Sequence, residues 1–183
     1  MKLVKSINIM ENKRAVVWLN VAAIALGIVF FGIFAILAEL LQPTAGSEET
    51  SLIGLFLFVV VSFVVIIVHE LIHGFFFKVF NLEGKVKFGF KNGMAYATSP
   101  NSYYTKTQFL IIILAPFVII SCCLVLLYSL NILSASFFAI VAAVHAGGCS
   151  GDFYFALLLL KSPQNTLVED TEVGINFYQK ENV

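Results

Sequence analysis

The sequence predicts an all-α membrane protein, four transmembrane helices with a cytoplasmic-side β-hairpin between the second and third. Three observations predict it. The 183 residues are 60% hydrophobic and 12% charged, whereas soluble domains are about half apolar and about a quarter charged. Four apolar runs are each long enough for a bilayer, which takes about 20 residues. All 11 basic residues fall on one side of a four-helix arrangement, as expected when Lys and Arg collect in cytoplasmic loops.

The elements follow in order along one domain, residues 1–183. Lys2, Lys5, Lys13 and Arg14 precede the first helix, 15–41. That run is too long for a signal-peptide core and reads as retained. Glu39, Glu48 and Glu49 lie near the first loop, on the outer side, and the second helix is 52–80. Lys78, Lys85, Lys87, Lys91 and Lys106 mark the return to the inner side. The third helix is 109–130, interrupted by Pro116, which removes one backbone hydrogen bond and kinks the helix. An uncharged loop around Asn131 leads to the fourth, 136–160, after which Lys161, Lys180 and a polar tail, 162–183, are again inside. Both termini are therefore expected in the cytoplasm.

Between the second and third helices, residues 85–98 alternate. Val86, Phe88 and Phe90 share one face and Lys85, Lys87 and Lys91 the other. Asn92-Gly93 is a strong hairpin-turn signal, because both positions favour positive φ. Met94 to Thr98 form the return strand, and Tyr96, Ala97 and Thr98 are candidates to meet an extended peptide added at its edge. The hairpin is expected at the cytoplasmic membrane surface. Zero net charge gives no reason to expect a nucleic-acid partner. Cys122, Cys123 and Cys149 are odd in number and lie in apolar runs, so they read as packing residues rather than a disulfide framework.

The chemistry lies in His69-Glu70-Leu71-Ile72-His73, inside the second apolar run. Ionisable groups there are costly and mark function. On a helix, H-E-x-x-H puts two imidazoles one turn apart on one face, within reach of a single Zn²⁺, with the intervening Glu as general base. A catalytic zinc takes three protein ligands. The fourth helix offers His145, Cys149 and Asp152, among Gly147, Gly148 and Gly151, which permit close approach and weaken the helix. Depth narrows the choice. His69 lies nine residues before Lys78 and Asp152 nine before Lys161, whereas His145 lies sixteen before it. At 1.5 Å per residue, His145 in an unbroken helix is about 10 Å farther out than Asp152. Cys149 remains close to Asp152.

"HELIHG", the basic hairpin, "LAPF" and a late Gly-Asp together resemble the putative zincin peptidase family of bacterial membrane proteins. That family is similar to the site-2 proteases, intramembrane zinc metalloproteases. The resemblance covers the chain from the second helix to about Tyr178. It implies zinc held by His69, His73 and Asp152, with the family's proline on Pro116. It favours Asp152 over Cys149. With Asp152 as ligand, His145 and Cys149 are candidates to contact substrate or the ligands, and His145 is alternatively a polar contact in the helix bundle. Ile119 stands where site-2 proteases have Asn, and Asp152 is followed by Phe153 rather than Gly.

The sequence thus predicts a zinc metallopeptidase in the bacterial cell membrane, acting on membrane proteins or peptides, with Glu70 as base. A non-catalytic zinc-binding membrane protein, a chaperone or immunity-type partner, is the alternative. Glu70 argues against it, because an H-x-x-x-H binder needs no glutamate. A metal transporter would be expected to show repeats and midplane sites.

Overall fold

The computed structural model describes residues 1–9, 11–42, 51–91 and 94–179. The predicted turn at Asn92-Gly93, Glu48, Glu49 and Lys180 lie outside them. Helices α1 (Lys13–Leu41), α2 (Leu52–Phe80) and α3 (Lys106–Ser129) occupy the first three apolar runs. Their starts are capped locally. Asn12 Oδ1 accepts from the Arg14 and Ala15 amides, and Ser51 Oγ accepts from the Gly54 amide. Thr105 and Gln108 exchange side-chain-to-backbone bonds at the head of α3, satisfying donors that a helix start leaves orphaned.

The fourth run is two helices, α4 (Ala135–Gly148) and α5 (Ser150–Leu160). Cys149 separates them with φ −73° and ψ 8°, outside helical geometry. Gly147, Gly148 and Gly151 surround the break, and glycine costs about 1 kcal/mol against alanine in a helix interior. Among the described residues, three helices, or up to four spans if α4 and α5 count as one, are long and apolar enough to cross a membrane. The most apolar stretch of α2 contains no buried residue. A soluble protein rarely leaves that much apolar surface uncovered. Cys122 and Cys123 are exposed on α3 rather than packed; only Cys149 is buried.

The chain is not all-α. Strands β1 (Lys2–Asn8), β4 (Tyr104–Thr105), β5 (Thr166–Thr171) and β6 (Gly174–Gln179) form an antiparallel sheet in the order β1-β6-β5-β4. The polar tail supplies the hairpin β5–β6, and β1 zips onto it with Ile7 opposite Ile175. The expected hairpin is present as β2 (Lys87–Lys91) and β3 (Met94–Thr98), with Phe88 opposite Ala97.

The residues group into two compact units. One comprises Met1–Leu19, Val68–Pro116 and Gly151–Val183. Its core holds Phe77, Tyr104, Phe109, Ile112, Leu159, Val168 and Ile175. The other comprises Asn20–Ile67 and Phe117–Ser150. There Tyr128 stacks on Phe138 at 4.9 Å and donates to the Ala38 carbonyl. A Cβ at Gly147 would stand 2.7 Å from the Ala23 carbonyl oxygen, so α1 and α4 cross with almost no space between them.

Candidate metal centre

In α2, burial concentrates at the C-terminal turns, where His73, Gly74 and Phe77 are covered. Helical geometry stacks His69 and His73 one turn apart, with Nε2 atoms 3.0 Å from each other. From α5, Asp152 brings Oδ2 to 3.2 Å from His69 Nε2 and Oδ1 to 3.5 Å from His73 Nε2. Metal bonds of about 2.0–2.2 Å at the tetrahedral angle put neighbouring donor atoms about 3.3–3.5 Å apart. One separation, 3.5 Å, matches that range and the other two, 3.0 and 3.2 Å, are slightly shorter, so small side-chain adjustments suffice for the three residues to hold one zinc-sized ion.

The neighbours orient the donors. His73 Nδ1 lies 2.9 Å from the Ile112 carbonyl oxygen in α3. A carbonyl only accepts, so Nδ1 carries the hydrogen and, in the neutral ring, the Nε2 lone pair faces His69 and Asp152. Fixing a ligating imidazole through its other nitrogen sharpens a metal site. Glu70 projects from the same stretch of α2, and its carboxylate accepts a hydrogen bond from the Ala97 backbone amide of β3.

The hairpin lies beside this turn, not beyond the end of the helix. Gly74, one residue past His73, has no side chain, and the Phe88 ring of β2 takes the space a Cβ would fill. Phe88 and Phe90 nevertheless remain 53% and 73% exposed. Ala97 and Thr98 are buried and Tyr96 half-buried. The Ala97 amide is therefore engaged by Glu70 rather than open at a strand edge.

The tail supplies a residue that the sequence reading missed. Thr98 Oγ1 donates to the Asp170 carbonyl of β5 at 3.1 Å. Burial pushes the Asp170 side-chain carboxyl up to about 8, against a hydrogen bond from Thr98, and it feels the charges of His73, Asp152 and Glu70. The tail reads only as a polar stretch, and nothing local links position 170 to position 73. His145 and Cys149 belong to the other unit, where both are buried with Sγ 3.7 Å from Nε2.

A protein-family profile described as "Putative zincin peptidase" matches residues 62–167, more than half of the chain. The chain belongs to this family. No curated protein and no solved structure matches it. The matched stretch of the putative zincin peptidase family contains His69, Glu70, His73 and Asp152. Membership implies zinc and metallopeptidase chemistry, and the described residues contain a His, His, Asp group able to hold such an ion.

Proposed function

We propose that this chain is an integral-membrane zinc metallopeptidase of site-2-protease type, cleaving membrane proteins or peptides near the cytoplasmic face. The observation that carries the reading is the convergence of His69, His73 and Asp152 within 3.0–3.5 Å, with Glu70 on the same helical stretch. Zinc bound there would polarise the scissile carbonyl and lower the pKa of water toward about 7. Glu70 takes a proton from the attacking water as the oxygen bonds to the carbonyl carbon. It returns that proton to the amine as the carbon–nitrogen bond breaks. His73 is held by Ile112, and Asp152 completes the ligand set. A peptide strand added at Ala97 would have to take the amide that Glu70 now holds, so strand addition and release of the base would be one event.

The sheet supports four crossings. Strands β1, β4, β5 and β6 are hydrogen-bonded neighbours, so residues 2–8, 104–105 and 166–179 share one side of any bilayer. The number of crossings between them must be even. Helices α1 and α2 supply two before β4; α3 and the α4–α5 pair supply two before β5. The basic residues cluster on that side, which supports a cytoplasmic location for it. The competing reading, a zinc binder without catalysis, separates on Glu70→Gln. The variant is expected to keep zinc and to lose about 10²- to 10⁴-fold in cleavage, the usual worth of a general base. The assay is mass spectrometry of single-span membrane peptides in detergent. Wild-type turnover in Glu70→Gln would remove the hydrolase reading.

A further inference from the structure

An α-helical carbonyl normally accepts the N–H four residues ahead. For the Ile112 carbonyl that position is Pro116, which has no N–H. Helix α3 nevertheless continues through Pro116 to Ser129. The carbonyl so released is the one that His73 Nδ1 meets at 2.9 Å. Ile112 is completely buried, and a buried carbonyl without a donor is costly. His73 is 7% exposed and needs an acceptor of its own. Each group satisfies the other, and the proline removes the backbone donor that would compete.

A packing kink is the ordinary explanation for a proline in an apolar helix, and the Pro116 ring is indeed fully buried. Packing does not account for the register. A proline one position earlier or later would release Ile111 or Ile113 instead, and neither carbonyl is the one that His73 reaches.

We infer that Pro116 is a positioning residue of the metal centre: it withholds the amide that would occupy the Ile112 carbonyl, so that His73 is held by Nδ1 with Nε2 aimed at the ion. This rests on the His69, His73, Asp152 reading of the site and adds the origin of the tautomer. A residue in α3 that touches no metal thereby sets the ligand geometry of α2.

The test is Pro116→Ala in the full-length protein, with Pro116→Val beside it. Both variants restore an N–H at position 116; Val also keeps most of the ring's volume. Removing an interior proline should raise the thermal midpoint. Zinc affinity, read by chelator competition, should fall about 10- to 100-fold in both, the range for losing a ligand's orienting partner. Nitrogen-15 spectra of the metal-free protein, recorded at a pH where the imidazole is neutral, should show the His73 hydrogen on Nδ1 in the wild type and exchanging between the two nitrogens in the variants. A helix kink serving only packing predicts a different outcome, unchanged zinc affinity in Ala or rescue by Val, and either would overturn the inference. Should the variants not fold, a neutral His73 carrying its hydrogen on Nε2 in the metal-free wild type would overturn it alone. Failure of the wild type to bind zinc would instead remove the metal reading, while the nitrogen-15 comparison still decides the role of Pro116.

Discussion

Replacing Asp152 by asparagine tests the ligand set most directly, because the substitution keeps the side chain's shape and removes its charge. Asp152 contacts both imidazoles, at 3.2 and 3.5 Å, and spans the open side of the His69–His73 pair. A protein zinc site of three or four ligands is worth about 10–16 kcal/mol at neutral pH, so one ligand accounts for about 3–5 kcal/mol. At about 1.4 kcal/mol per factor of ten, Asp152→Asn should weaken zinc binding by about 10²- to 4 × 10³-fold. Competition against a chromophoric chelator in detergent measures this, with His145→Ala as the comparison. His145 is outside the proposed ligand set, and its variant is expected to hold zinc as the wild type does. If Asp152→Asn stayed within tenfold of the wild type while His145→Ala lost its zinc, the ligand assignment would be refuted.

Two further expectations use other parts of the fold. Ala97→Pro deletes the amide donated to Glu70 but, because that amide points away from β2, no ladder bond of the hairpin. Zinc content should hold, while cleavage falls about ten- to a hundredfold, since hydrogen bonds to charged groups are worth about 1.5–3 kcal/mol; unaltered turnover in a folded variant would detach Ala97 from catalysis. Gly147→Ala puts a Cβ 2.7 Å from a backbone oxygen, whereas a Cβ at Gly148 meets nothing within 4 Å. Overpacking of this kind costs about 1–3 kcal/mol, so Gly147→Ala should melt lower than Gly148→Ala, and equal midpoints would contradict the close crossing of α1 and α4.

Local signals carried much of this structure. The apolar run from Leu52 to Phe80 has the bounds of α2, and the i, i+4 spacing of His69 and His73 suffices to bring their Nε2 atoms together. The alternation around Phe88 and Phe90 marks the hairpin. What the sequence hid is long-range pairing. "KLVKSIN" lacks a clean alternation of apolar and polar residues, and its partner lies at the other end of the chain, so β1 has no local signature. The glycines around Cys149 announced a weak helix but not its break, which voids the unbroken-helix assumption behind the depth comparison even though Asp152 does meet both histidines. The two cysteines of α3 failed as packing residues for a physical reason. On an apolar helix long enough for a bilayer, an outward face carries no penalty for small apolar side chains, so hydrophobicity there does not report burial.

The sheet that joins β1 to β6 also imposes an order on biosynthesis. Ile7 must wait for Ile175, 175 − 7 = 168 residues later. At about 5–20 residues per second of synthesis, that delay is about 8–34 seconds. Helices α1 and α2 leave the ribosome long before the strand that closes the sheet, so under the membrane reading proposed above their insertion would precede assembly of the sheet. Asp152 and Asp170 also emerge late, after both histidines. A nascent or truncated chain therefore carries His69, Glu70 and His73 without the residues that complete and brace them. Under the metallopeptidase reading, the enzyme stays inert until Asp152 and Asp170 are made, which protects the insertion machinery from a protease still in its grasp.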